Sequence, residues 1–177
     1  MLRFLKSLWD LIVYIAAIFV LTWLIVHYVG QRTEVNGTSM YPTLESGDQL
    51  ITDKLSYRFR SPERFEIIVF PYEHRANTYY IKRIIGLPGE TVRIDESGTI
   101  YINGKALTEN YGSEPISYAG LAGQEVRLGA DEYFVLGDNR SNSEDSRFGD
   151  VGNIQRQDII GRAWLRIYPW KRFGMVE

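Results

Sequence analysis

The chain opens with one long apolar stretch, whereas the apolar stretches that follow it are short. Residues 11–29 (LIVYIAAIFVLTWLIVHYV) carry no charged side chain. A helix of this length, at about 1.5 Å per residue, would be about 28 Å long, close to the ~30 Å hydrocarbon core of a bilayer. The stretch exceeds the apolar region of a secretory signal, which is about 7 to 15 residues, and no small-x-small cleavage site follows it. The pattern therefore predicts a retained transmembrane helix.

The charges that flank this stretch predict its orientation. Arg3 and Lys6 precede it, whereas the segment after it balances Arg32 with an acid. Because positively charged residues favour the cytoplasmic side, residues 1–10 are expected in the cytoplasm. Residues 30–177 would then form one domain of ordinary size outside the cytoplasm.

Beyond the helix, the pattern of apolar residues is typical of strands. Four segments are rich in β-branched and aromatic residues and end at Gly, Pro, Asn or Asp: 64–70, 78–85, 99–103 and 132–136. Glu96-Ser97-Gly98, between two short apolar segments, indicates a hairpin, and Asn103-Gly104 indicates a second turn. The sequence thus predicts a mostly β, mainly antiparallel fold.

One stretch has little periodicity of either kind. Residues 107–129 are rich in Gly, Ser, Asn and Glu. We interpret this stretch as a partly mobile insertion that lies outside the core.

Composition limits the chemistry that the domain can perform. A net charge of −2 without a basic run argues against a nucleic-acid partner. The absence of cysteine excludes disulfides, thiolate metal sites and a cysteine nucleophile. Of the two histidines, His27 lies in the apolar stretch, where we expect it to pack or to meet lipid headgroups, and His74 lies in the loop-like segment 71–75, where we expect it to be solvated. A serine nucleophile would therefore need a base other than histidine.

Lysine can act as that base if burial lowers its pKa. Read as a strand, residues 80–84 place Lys82 on the same face as Tyr80 and Ile84. An exposed face would make Lys82 an ordinary surface residue, whereas a buried face would make it a candidate base. Ser39 follows Gly37, which allows close backbone approach, and precedes Pro42, so it suits a nucleophile on a tight turn.

Four motifs occur in a fixed order along the chain: 37–44 (GTSMYPTL), 64–70 (RFEIIVF), 80–89 (YIKRIIGLPG) and 134–149 (FVLGDNRSNSEDSRFG). Together with the single span, they resemble the conserved segments of bacterial type I signal peptidases. The resemblance implies a core of coiled antiparallel sheets with a small inserted cap at about 91–130. It also implies a single-pass protein of the bacterial cell membrane, in contact with membrane lipid.

The same resemblance implies an activity and site residues. Ser39 would attack the bond between a signal peptide and a secreted precursor protein and form an acyl-enzyme, and Lys82 would be its general base. Ser143 would hydrogen-bond and orient the Lys82 amine, and Asp145 with Arg147 would form a supporting ion pair. Asp138 would be a further structural partner. No metal or organic cofactor is implied.

The chain departs from the family pattern at one position that affects this chemistry. One branch of the family carries a serine two positions before the nucleophile, and its hydroxyl contributes to the oxyanion hole. Gly37 occupies that position here, so the hole would rely on backbone N–H groups, including that of Ser39. Milder departures, Glu66 and Glu90 in place of aspartate, preserve charge.

Three other interpretations fit the sequence less well. A calcium loop at 138–149 fails, because Ser143 stands where the EF-hand loop needs glycine and Gly149 where it needs glutamate. A non-catalytic relative that assists surface-protein assembly need not keep both Ser39 and Lys82. A self-cleaving Ser-Lys regulator would need a DNA-binding module where this chain has its apolar span.

Overall fold

The computed structural model describes residues 2–24, 28–75 and 77–176. One helix, α1 (Leu2–Leu24), forms the N-terminal part, and within it Lys6–Leu24 is long and apolar enough to cross a membrane. None of this segment is buried by the rest of the protein. The helix begins before the predicted start at residue 11, and residues 25–27, which include His27, lie outside the described residues.

The regular secondary structure in the rest of the described chain is mostly antiparallel sheet, which confirms the mostly β prediction. Its strands are β1 (Gly30–Glu34), β2 (Gln49–Asp53), β3 (Ile67–Pro71), β4 (Tyr79–Gly86), β5 (Thr91–Ile94), β6 (Ile100–Ile102), β7 (Lys105–Ala106), β8 (Val126–Arg127), β9 (Glu132–Leu136), β10 (Ile154–Gln155), β11 (Gly161–Tyr168) and β12 (Gly174–Met175). The larger sheet has the order β1-β2-β11-β3-β4-β9-β10, with β12 paired to β11. The smaller sheet has the order β7-β6-β5-β8.

Turn chemistry in the smaller sheet follows the sequence closely. Strands β5 and β6 pair with Val92 opposite Ile102, and Gly98 in the connecting turn has a φ of +82°. Asn103 and Gly104 both have positive φ and join β6 to β7, as a two-residue hairpin turn requires. Both predicted turns are confirmed. The small sheet lies within the predicted cap at about 91–130.

The interpretation of residues 107–129 as lying outside the core is wrong. Ile116, Ala122 and Leu128 are buried in the same apolar cluster as Val92 and Phe134. Strand β8 adds a further backbone contact, because it pairs with β5. The apolar residues of this stretch are spaced irregularly because loops deliver them one at a time, and a periodic pattern cannot reveal such an arrangement.

Strand β4 determines the geometry of the site, because it is buried on both faces. It lies between β3 and β9 in the larger sheet. Ile81 packs into one apolar cluster and Ile84 into another. The two charged residues between them, Lys82 and Arg83, are therefore also buried, at 3% and 0% exposure.

Candidate active site

Ser39 lies on a turn that follows β1. Gly37 begins this turn with a φ of +106°, a conformation that a residue with a side chain rarely adopts. Met40 and Leu44, directly after the serine, are buried in the core and fix the turn to the sheet. The backbone carbonyl of Ser39 accepts a hydrogen bond of 3.0 Å from the N–H of Asn139. Core packing and a backbone hydrogen bond thus fix the position of the half-buried Ser39.

The amine of Lys82 meets the hydroxyl of Ser39. Lys82 Nζ lies 2.8 Å from Ser39 Oγ and 3.2 Å from the carbonyl oxygen of Ile81. The third close neighbour is the ring of Tyr80, whose centroid is 4.8 Å from Nζ. Lys82 therefore lies on a buried face of its strand and is not an ordinary surface residue.

Burial changes the protonation of this lysine. Loss of hydration disfavours the ammonium ion and lowers the pKa of Lys82 from 10.5 to about 8. The carboxylates of Asp145, Glu144 and Asp138 oppose this change, and Arg147 adds to it. A substantial fraction of Lys82 is then neutral under mildly alkaline conditions.

The loop after β9 carries the predicted Asp145–Arg147 pair. Arg147 donates two hydrogen bonds to the Asp145 carboxylate, at 2.8 and 2.9 Å, and both side chains are buried. Asp145 Oδ2 also accepts a hydrogen bond of 3.0 Å from the N–H of Gly137. The guanidinium of Arg147 reaches across to the carbonyl oxygen of Tyr118 at 3.1 Å. The pair therefore ties this loop to itself and to residues 107–129.

Asp138 is the centre of a second buried ion pair, which the sequence analysis did not identify. Arg83 donates to both of its carboxylate oxygens, at 2.9 and 2.7 Å, and Thr43 Oγ1 donates to one of them at 2.6 Å. The ring of Tyr111 covers the guanidinium at 3.7 Å from its centroid. The signal available in the sequence was the presence of opposite charges, Arg83 and Asp138, in two separate motifs.

The hydrogen bond expected between Ser143 and Lys82 is not formed. Ser143 Oγ is buried and has no hydrogen-bond partner among the described residues. Its side chain packs against Gly137 so closely that a Cβ atom there would lie 2.1 Å from Ser143 Oγ. The glycine allows this close approach of the Ser143 side chain to the loop backbone.

His74 is exposed, as expected for a solvated loop residue, and its ring contacts Tyr72 at 5.5 Å between centroids. It does not line the cleft that contains Ser39 and Lys82. The two residues at the centre of the site are thus a serine and a lysine.

An open cleft of about 720 Å³ leads to these residues. It is lined mainly by β1, the turn at 36–40 and the first half of β4, and Asn142 and Glu144 also contact it. Strand β1 lines this cleft and lies at the end of the larger sheet, so one of its edges has no partner strand among the described residues. An extended peptide would fit the cleft, because an edge strand offers backbone hydrogen-bonding groups to a second strand.

Comparison with known proteins is consistent with this geometry. Residues 8–168 match the family model described as signal peptidase, peptidase S26. The chain is 44% identical over 154 residues to a probable signal peptidase I-2 of Synechocystis, covering 84% of this chain and 68% of that protein. It is 46% identical over 154 residues to a signal peptidase I of Leptolyngbya laminosa, covering 83% and 73%. A signal peptidase I T of Bacillus subtilis is 36% identical over 177 residues, covering 96% and 89%.

Proposed function

The chain belongs to the signal peptidase family, peptidase S26, and we propose that it works through a catalytic dyad of Ser39 and Lys82. It is a serine peptidase that removes signal peptides from precursor proteins. The observation that supports the dyad is the 2.8 Å separation of Lys82 Nζ and Ser39 Oγ, with the lysine buried at 3% exposure. Nucleophile and base at this distance satisfy the first requirement of covalent catalysis by serine.

In the first half of the reaction, the neutral amine of Lys82 takes the proton of the Ser39 hydroxyl as Oγ attacks the scissile carbonyl carbon. The carbonyl oxygen becomes negatively charged in the tetrahedral intermediate. Collapse breaks the C–N bond, and the leaving amine of the mature protein takes the proton from Lys82. The signal peptide remains attached to Ser39 as an ester.

In the second half, a water molecule gives a proton to Lys82 and attacks the ester carbonyl. The new tetrahedral intermediate collapses and expels Ser39 Oγ, which recovers its proton from the lysine. The products are the signal peptide with a free carboxylate and the original enzyme. Lys82 thus carries one proton in each half-reaction and must be neutral at the start of both.

The oxyanion hole is proposed to use the backbone N–H of Ser39. The space beside Gly37 is open, with no atom within 4 Å of the position that a Cβ would take. The N–H of Gly37 itself points to Ser46 Oγ at 3.4 Å. A serine at position 37 would be strained by the φ of +106°, so in this chain a backbone donor at the nucleophile is the simpler solution.

The supporting residues act by positioning. Asp145 with Arg147 ties the loop after β9 to itself and to residues 107–129. Asp138 ties the same loop to β4 through Arg83 and to the segment after Ser39 through Thr43. Ser143 contributes by packing on the backbone of this loop. None of these side chains is proposed to transfer a proton.

The remaining proposals concern place and domains. We assign residues 1–10 to the cytoplasm, the span 11–29 to the bacterial cell membrane and residues 30–177, with the cap at 91–130, to the outside. The apolar helix supports the span, and exposed aromatic residues on the domain, among them Trp164, Trp170 and Phe173, suit contact with membrane lipid.

The dyad is tested by cleavage of a purified precursor with wild-type protein, Ser39→Ala, Lys82→Ala and Lys82→Arg. All three variants should fold, as checked by circular dichroism, and all three should lack turnover. Lys82→Arg is the sharpest, because a guanidinium stays protonated at any working pH. Wild-type turnover by any folded variant would contradict the dyad.

The orientation is tested with single cysteines, since the sequence contains none. An impermeant thiol reagent applied to intact cells should label Glu96→Cys but label Leu2→Cys, which precedes the apolar segment Lys6–Leu24, only after lysis. The reverse labelling would contradict the proposed topology.

A further inference from the structure

Glu144 differs from its neighbours on the loop after β9. Ser143 and Asp145 are buried, whereas Glu144 is exposed and lines the cleft. Its Oε2 accepts a hydrogen bond of 2.7 Å from the hydroxyl of Tyr80, which lies on β4 and lines the same cleft. This contact joins the loop to β4 at the cleft mouth. The proposed mechanism of Ser39 and Lys82 does not require it.

Tyr80 forms an aromatic wall beside the base. It is two positions before Lys82 on β4 and therefore shares its face. Its ring stacks on Tyr72, with centroids 4.5 Å apart and an interplanar angle of 8°, and meets Phe70 edge-on at 6.2 Å. The face of the Tyr80 ring is 4.8 Å from Lys82 Nζ. Glu144 fixes the polar end of this ring, and the stacked rings fix its plane.

Glu144 also differs from the other acids near the amine in its charge partners. Asp145 is paired with Arg147, and Asp138 with Arg83. Within residues 28–75 and 77–176, Glu144 makes no ion pair. Its negative charge at the cleft mouth is therefore not cancelled by a neighbouring guanidinium, although solvent screens it.

Given the proposed dyad, we propose that Glu144 is a positioning residue that acts through Tyr80, holding the aromatic wall against Lys82 and placing an unpaired negative charge at the cleft mouth. The hydrogen bond keeps the ring, and with it the amine, in the arrangement that meets Ser39. The charge favours the ammonium form of Lys82. This agrees in direction with the upward effect of Glu144 on the lysine pKa, which burial, Asp145, Asp138 and Arg147 also influence.

The two effects can be separated by variants of the full-length protein in detergent micelles. Glu144→Gln keeps an oxygen that accepts the Tyr80 hydrogen bond but removes the charge. Tyr80→Phe removes the hydrogen bond but keeps the charge. Glu144→Ala removes both, and the double variant Tyr80→Phe/Glu144→Ala tests whether the two residues act as one unit. For each protein, kcat and KM for a quenched signal-sequence peptide are measured from pH 6 to 10.

Glu144→Gln should move the midpoint of the kcat/KM profile to lower pH. Relative to its own alkaline plateau, its activity at pH 7 should rise about twofold, the size of effect expected from one solvent-screened charge near the cleft. Tyr80→Phe should lower kcat several-fold with little movement of the midpoint. The double variant should have a kcat no lower than that of Glu144→Ala, because the second change removes a contact already lost.

Glu114→Gln is the matched control. This acid is exposed and accepts a hydrogen bond from Ser141 Oγ at 2.9 Å, but it does not line the cleft. Its pH profile should equal that of the wild type. An unmoved midpoint in Glu144→Gln, or fully additive losses in the double variant, would overturn the proposal. Failure of the dyad has a different signature, which is turnover by Ser39→Ala or Lys82→Arg.

Discussion

Replacing the buried lysine by an apolar residue of similar length should abolish activity and stabilise the fold. In Lys82→Met, the chain no longer has to bury an amine whose ammonium form is disfavoured. Burial lowers the pKa of Lys82 from 10.5 to about 8, which at about 1.36 kcal/mol for each pKa unit costs roughly 3 kcal/mol at neutral pH. The variant also loses the hydrogen bond to the carbonyl of Ile81, which destabilises it by about 1 kcal/mol. The net stabilisation of Lys82→Met expected at pH 6.5 is therefore roughly 2 kcal/mol.

The sign of the pH dependence follows from the same pKa. Below pH 8, the amine of Lys82 is protonated in both the folded and the unfolded protein, so the full cost of its burial is present. Between about pH 8 and 10.5, the folded protein loses its proton first, and the wild type gains stability relative to Lys82→Met. The advantage of the variant should therefore disappear, and then reverse slightly, as pH rises through this window.

The assay is urea unfolding of both full-length proteins in detergent micelles, followed by tryptophan fluorescence at pH 6.5, 8 and 9.5. In parallel, the kcat/KM of the wild type should rise with a midpoint near pH 8, because the same proton controls both measurements. A variant several kcal/mol less stable than wild type at pH 6.5, or a stability difference that does not change with pH, would refute the reasoning.

Three further predictions follow from the structure. Asp138→Ala should lower the free energy of unfolding by about 3 to 5 kcal/mol, measured by urea denaturation, because it leaves the fully buried Arg83 without its counter-ion; a loss below 1 kcal/mol would contradict the buried pair. Ser143→Ala should leave that free energy unchanged or slightly higher in the same experiment, since the hydroxyl it removes has no partner among the described residues. A long flexible linker inserted after Val29 should lower processing of membrane-inserted precursors while hydrolysis of soluble peptides persists, because the ten residues from Val29 to Ser39 span at most roughly 33 Å; precursor processing at the wild-type rate would contradict the close tether.

The sequence predicts the parts of this molecule that depend on local chemistry. The span, the β class and both hairpin turns follow from apolar runs and from residues such as Gly98 and Asn103 whose backbone preferences are strong. The pairing of Ser39 with Lys82 follows from motif resemblance together with the lack of a usable histidine. Each of these inferences needs only a short segment or a recognisable motif.

The sequence did not reveal features that depend on which distant segments meet. The sequence indicates no role for Arg83, because nothing local shows that its guanidinium is buried under Tyr111. Residues 107–129 were placed outside the core because their buried side chains come from separate loops. The hydrogen bond from Ser143 to Lys82 is implied by resemblance alone, whereas the close packing of Ser143 on Gly137 is a tertiary contact.

The two buried ion pairs explain how a lysine can be a base in a site rich in carboxylates. An unpaired aspartate beside Lys82 would hold its proton and raise the pKa far above working pH. Here each buried aspartate already has a guanidinium, Arg147 for Asp145 and Arg83 for Asp138, in a bidentate pair that satisfies both carboxylate oxygens. Because an arginine does not give up its proton, these pairs are fixed over the whole working range. The lysine is thus left with burial as the dominant influence on its pKa, and burial favours the neutral amine that the proposed reaction requires.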